Sequence, residues 1–110
     1  MFNDEIYVKA RIVLEEIDRL DEGNQTQNEG CFHLTIKVVS ELRLNLNEIV
    51  DIKSKKEKQL EEENSFFDSK GYTLIRNLGL MIYLFNKVDP LKTACFELLK
   101  VFKSFSVNTN

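Results

Sequence analysis

The chain has 110 residues, of which 43% are hydrophobic and 30% charged, so we expect one globular domain over residues 1–110. A net charge of −3 lacks the basic excess that neutralises phosphates, which argues against a nucleic-acid partner. The longest apolar run, residues 78–85, is shorter than the roughly 20 residues that cross a bilayer, so we expect no membrane partner. Two cysteines and a start without a secretory signal favour a cytoplasmic protein with reduced thiols.

A helical stripe predicts the first helix over about residues 4–22. Apolar residues there recur at alternating spacings of four and three. Asn3 or Asp4 is suited to cap the free amides at the start of this helix. The stretch 23–30, which begins and ends with glycine, is predicted to be a loop. The stripe consists of Ile6, Ala10, Val13, Ile17 and Leu20.

Residues 31–52 fit two patterns. Apolar and polar residues alternate over 32–38 and again over 42–46, as they do in strands. At about 100° per residue, however, the apolar side chains gather on one arc, and only Leu44 falls clearly outside it. A hairpin would also need a turn near Val39–Glu41, but this stretch contains no Gly, Asn, Asp or Pro. We therefore predict a helix, with a hairpin at about 32–46 packed on three helices (an α+β fold) as the alternative.

Residues 53–64 are predicted to be a charged connector. Lysines come first and glutamates last, an order that suits the end of one helix and the start of another. The rival interpretation is one uninterrupted, exposed helix. Because Leu60 is the only apolar residue here, the segment is not expected to join the core.

Two further helices complete an all-α, up-and-down four-helix bundle. The third is predicted over about 66–88, with Ser65 and Asp68 resembling a capping box. It is apolar nearly all round, which is typical of a helix that is central in its fold or covered by another chain. Asp89 and Pro90 favour the start of the fourth helix, over about 90–106.

The chain offers little for catalysis, metals or cofactors. One histidine and two distant cysteines are too few for a zinc site, so we expect no metal, no cofactor and no enzyme activity. The alternative is phosphotransfer, since acidic four-helix bundles of this size include histidine phosphotransfer domains. His33 is the only histidine, and Lys37 follows one turn later. Those domains instead have a lysine three residues after the histidine and then a glycine, where this chain has Ile36 and no glycine.

The remaining clue is a set of apolar residues that the predicted core does not need. Such residues mark a contact surface when they are contiguous. We therefore predict a small, non-enzymatic protein-binding module of the inhibitor, immunity or chaperone-like kind, which binds another protein or itself as a homodimer. Its lysine cluster at 53–58 is interleaved with glutamate and fits a connector better than a phosphate site. The predicted interface residues are Val8, Ile12, Leu44, Leu80, Tyr83 and Phe96.

Overall fold

The computed structural model describes residues 2–23 and 32–108 of the chain. Over these ranges it forms four α-helices and no strand: α1 (Asp4–Gly23), α2 (Phe32–Ile52), α3 (Gln59–Leu84) and α4 (Asp89–Asn108). Helices α1 and α3 each pack against both α2 and α4, so α1 and α3 lie diagonally opposite each other in the bundle. The predicted four-helix bundle is confirmed. None of the described helices is long and apolar enough to span a lipid bilayer.

The core forms where the apolar stripes of the four helices meet. Every predicted stripe residue of α1 is buried. Helix α4 has a stripe of apolar residues at the same helical spacing, and these residues are also buried. Burying such large aliphatic and aromatic side chains contributes about 1.5–3 kcal/mol each and is the main force holding the bundle together. The α4 stripe consists of Leu91, Ala94, Cys95, Leu98, Phe102 and Phe105.

Helix α2 covers the segment with the ambiguous pattern. Residues 32–46 lie in one helix, so the hairpin alternative is wrong. Leu42, Leu46 and Ile49 are fully buried, whereas Leu44 is 71% exposed, as its position on the helical arc requires. The alternation of apolar and polar residues was misleading because Leu34 and Ile36 are themselves exposed.

Helix α3 begins and ends earlier than predicted. Its first residue is Gln59 and its last is Leu84, in place of the expected 66–88. The proposed capping box is wrong, because Ser65 lies inside the helix and its carbonyl accepts a hydrogen bond from the Ser69 hydroxyl at 2.8 Å. Between α2 and α3, the chain makes a short 3₁₀ turn over Lys56–Lys58, and residues 59–64 belong to α3.

The other helix ends follow simple capping chemistry. The Asn3 side-chain oxygen accepts a hydrogen bond from the backbone N–H of Ile6 at 3.2 Å, which confirms it as a cap of α1. Helix α4 begins at Asp89, one residue before the predicted start, because the Lys92 N–H already bonds to the Val88 carbonyl. The predicted loop at 23–30 lies almost entirely outside the described residues, and Cys31 lies wholly outside them.

A cluster of aromatic rings fills the end of the bundle where α1 and α3 begin. Phe2 packs against four other rings, the nearest being Phe105 at 5.0 Å between centroids. Gly71 is buried beside this cluster, where an added Cβ would lie 3.6 Å from Phe102, an ordinary contact distance. Edge-to-face packing of this kind adds to the stabilisation that burial alone provides.

Gly79 provides a test of the α3 geometry. It is exposed, and no atom of the described residues lies within 4 Å of the position a Cβ would take, apart from its own helical turn and neighbours. We expect Gly79→Ala to raise the free energy of unfolding by about 1 kcal/mol, because glycine costs that much in a helix interior. Urea denaturation measures the change. A loss of stability would contradict an open helical surface at this position.

Candidate functional site

The largest group of exposed apolar side chains lies on the outer surface of α2 and α3. Leu34 and Leu80 line one groove between these helices, of about 210 Å³. Leu34 is 43% exposed, and Leu80 is half-buried against the core. Two side chains from different helices therefore border the same opening to solvent.

Ion pairs between α2 and α3 show that further apolar residues belong to this surface. Glu41 pairs with Arg76 at 3.2 Å, and Glu48 pairs with Lys70 at 2.6 Å. Leu44 stands three residues after Glu41 and four before Glu48, so it lies on the same side of α2 as both. By the same spacing rule, Tyr72 and Leu80 share a side of α3 with Arg76, and Tyr83 is the neighbour of Leu80.

We call this surface the α2/α3 face. Tyr72 is 79% exposed, and Tyr83 and Leu44 are each 71% exposed. The α2/α3 face therefore combines aromatic rings and aliphatic groups around the two ion pairs, a composition that is typical of contact surfaces. It consists of Leu34, Leu44, Tyr72, Leu80 and Tyr83.

A hydrogen-bonded carboxylate lies inside the α2/α3 face. The buried Asn77 amide donates to Glu41 Oε1 at 2.8 Å, and Arg76 donates to the same oxygen. The bond from Asn77, followed by the charge of Arg76, holds the pKa of Glu41 below its usual value. Glu41 therefore stays ionised at neutral pH and keeps Arg76 in place between the apolar groups.

A second groove, of about 460 Å³, runs between α1 and α4. Ile12, Pro90 and Ala94 form its apolar lining, and an ion pair between Lys9 and Glu97 at 3.6 Å spans the two helices. Ile12 is 42% exposed, and Val8, one turn earlier on α1, is 54% exposed. This α1/α4 groove contains fewer exposed large apolar side chains than the α2/α3 face.

Five of the six predicted interface residues therefore fall on two sides of the bundle. Three belong to the α2/α3 face. Ile12 lines the α1/α4 groove, and Val8 is exposed one turn before it on α1. Phe96 is 52% exposed on α4 and lies beneath the Lys100 ammonium, 5.7 Å from the ring centroid. His33, the residue of the phosphotransfer alternative, is exposed in the first turn of α2, with Lys37 exposed one turn later.

A buried carboxylate, which the sequence analysis missed, lies at the start of α3. Glu63 is fully buried. Its Oε1 accepts a hydrogen bond from the backbone N–H of Phe2 at 2.9 Å, and its Oε2 accepts bonds from the Tyr7 hydroxyl and from the Gln59 amide, the latter at 3.1 Å. Lys53 lies over the Tyr7 ring, with its ammonium 5.4 Å from the centroid. Three donors satisfy the carboxylate. The bonds from Phe2 and Tyr7 link the start of α1 to α3, the helix diagonally opposite in the bundle.

Two buried groups have their proton affinity raised by this environment. Burial, together with the hydrogen bond to Glu63, raises the pKa of Tyr7 above its ordinary value of 10.0. Burial alone raises the pKa of the Cys95 thiol to about 12. Both groups therefore stay protonated at neutral pH. The Cys95 thiol is a core group, because it is fully buried and holds its proton.

A signal for Glu63 was present in the sequence. It stands four residues before Phe67, which places it one turn earlier on the same side of α3. Its charge, and the absence of other apolar residues nearby, favoured a solvated connector instead. The donors that offset the cost of its burial come from Phe2 and Tyr7, more than fifty residues away in the sequence. A local sequence pattern cannot predict such distant partners.

Neither metal geometry nor comparison with known proteins assigns a chemistry to the chain. Among the residues that the structure describes, no three His, Cys, Asp or Glu side chains converge to hold a metal ion. No protein-family model, curated protein or solved structure matches the chain.

Tyr7→Phe tests the buried carboxylate. The substitution keeps the ring and removes the hydroxyl that donates to Glu63. We expect the free energy of unfolding at neutral pH to fall by about 2 kcal/mol, since a hydrogen bond to a charged group is lost. Tyr72→Phe, at an exposed tyrosine of the same type, should change it by less than about 0.5 kcal/mol. Denaturant titration of both variants decides the point, and equal effects would place the Tyr7 hydroxyl in water.

The same variant has a predicted pH signature. Because the pKa of Tyr7 is raised in the folded protein, the stability linked to its proton is complete below the ordinary tyrosine value of 10.0. That stability is lost as the pH rises above this value. Between about pH 9 and pH 11, wild-type protein should therefore lose more free energy of unfolding than Tyr7→Phe. Parallel losses in denaturation curves at the two pH values would refute the linkage.

Cys95 gives an independent test of the core. In a Cys31→Ser variant only Cys95 can react with a thiol reagent. We expect its reaction at mildly alkaline pH to be at least about a thousandfold slower in native protein than in denaturant, because the thiol is exposed only on unfolding. The release of a chromogenic thiolate measures both rates. Comparable rates would show that Cys95 does not lie in the core.

Proposed function

We propose that the chain is a small, non-enzymatic protein-binding module and that the α2/α3 face is its contact surface. The observation that carries the proposal is the grouping of five large apolar side chains from two helices on one side of the bundle. Single exposed hydrophobic residues are normal on protein surfaces, but a grouped set marks an interaction site. A cytoplasmic location, where Cys95 stays reduced, is part of the same proposal.

Binding would draw its free energy from the apolar side chains of the α2/α3 face. Leu44 and Tyr83 project furthest towards solvent among the predicted contact residues, each 71% exposed. Covering them removes apolar area from water and contributes roughly 25 cal/mol per Å². Tyrosine loses little conformational entropy on contact and keeps a hydroxyl for hydrogen bonding, which suits it to such a surface.

The charged groups within the α2/α3 face would select the partner. Glu41 and Arg76 are already engaged with each other, so a partner must bring groups that tolerate this pair or add to it. Lys37 and Asp51 are exposed on α2, seven residues before and seven residues after Leu44, and add rim charges of opposite sign. Charges at a rim mainly affect association rates and the rejection of wrong partners.

Leu44→Glu is the direct test. A photoreactive amino acid at Tyr83 is expected to cross-link to one defined protein in cells that naturally make the chain, and Leu44→Glu is expected to abolish that product. The carboxylate would be desolvated beneath the partner, so affinity for the purified partner should fall by about a hundredfold or more. Because Leu44 is 71% exposed, the variant should keep its helical circular dichroism spectrum.

Two matched substitutions control this experiment. Leu60→Glu places the same charge at a 49% exposed leucine of α3 outside the α2/α3 face, and Ile12→Glu places it at the α1/α4 groove. Both should bind the partner as wild-type protein does. Loss of binding in Ile12→Glu with normal binding in Leu44→Glu would move the contact surface to the other side of the bundle and overturn the proposal.

A further inference from the structure

We infer that the partner covering the α2/α3 face is a second copy of this chain, with the two α2 helices packed antiparallel and Leu44 at their crossing point. The inference rests on the proposed function and identifies its partner. It is carried by the order of charges along the exposed side of α2. That order is complementary in charge to its own reverse, so two identical surfaces can face each other in antiparallel orientation with opposite charges paired.

The spacing along α2 is regular. Lys37, Leu44 and Asp51 are seven residues apart, and all three are exposed. Seven residues make almost two whole turns, so the three side chains project from nearly the same side of the helix. At 1.5 Å per residue, Lys37 and Asp51 each lie about 10.5 Å from Leu44 along the axis, in opposite directions.

A two-fold rotation through Leu44 uses this symmetry. It places Lys37 of each copy opposite Asp51 of the other, which gives two equivalent pairs of opposite charge. It also separates the two Lys37 residues by about 21 Å along the helix axis, beyond the screening length of physiological salt. Opposite charges thus meet across the interface, and the like charges are separated.

Groups of the same chain compete only weakly with these contacts. Among the residues that the structure describes, Asp51 pairs with Lys55 of its own chain at 3.7 Å, between two largely exposed side chains, and such a pair contributes little. Glu41, the nearest carboxylate along α2 to Lys37, is engaged by Asn77 and Arg76. The neighbouring apolar groups of α3 would widen the contact beyond a single pair of helices.

Charge reversal tests the arrangement on the full chain. In sedimentation experiments up to about 1 mM protein, wild type should form a dimer. Lys37→Asp and Asp51→Lys should each weaken it by about tenfold or more, since two like-charge contacts replace two favourable ones. The double variant Lys37→Asp/Asp51→Lys should restore it. Lys103→Asp and Glu15→Lys make equivalent charge reversals at exposed positions of α4 and α1, outside the α2/α3 face, and should dimerise normally.

The outcomes separate this inference from the proposed function. Rescue in the double variant supports the antiparallel dimer. If both single-reversal variants dimerise as tightly as wild type, or if wild type is a strict monomer at the highest concentration, the inference is overturned. If the monomeric chain nevertheless cross-links to a different protein in a Leu44-dependent way, the binding-module proposal stands and only the second copy is refuted. A monomer with no Leu44-dependent partner refutes both.

Discussion

The bundle depends on the satisfaction of one buried charge. A carboxylate removed from water is costly unless donors surround it, and Glu63 has the Phe2 amide, the Tyr7 hydroxyl and the Gln59 amide. The bonds from Phe2 and Tyr7 cross the bundle to α3, which does not pack beside α1. They hold Phe2 among the aromatic rings and bring the first turns of α3 into the fold. A solvated connector at 59–64 would leave that end of the core open.

The fold leaves an asymmetric surface once its core is complete. The apolar stripes of α1 and α4 are buried in the core, and an ion pair between Lys9 and Glu97 crosses the groove between these helices. Helices α2 and α3 instead keep Leu44 and two tyrosines outside the core. Buried Asn77 fixes Glu41 and, through it, Arg76 in the middle of that surface. The surface proposed for binding is therefore held on two packed helices, where little order has to be gained on contact.

Sequence reasoning was most successful where one helix face decides burial. The stripes of α1 and α4 and the outlying position of Leu44 follow from periodicity alone. It failed where distant residues decide the outcome: the start of α3 depends on donors from α1, and the exposure of Leu34 depends on how α2 meets α3. The six predicted contact residues were identified singly. The division of five of them between two sides of the bundle follows from helix pairing, which no single-helix pattern contains.

The central claim is that the chain makes its contacts through the α2/α3 face, and nuclear magnetic resonance measures this residue by residue. Amide chemical shifts recorded over a protein concentration series should move together for Leu44, Leu80 and Tyr83. Those of Ile12 and Ala94 at the α1/α4 groove should stay constant. Shifts that move at the groove while the α2/α3 face stays constant would contradict the account, and spectra that do not change with concentration at all would refute a second copy as the partner of this face.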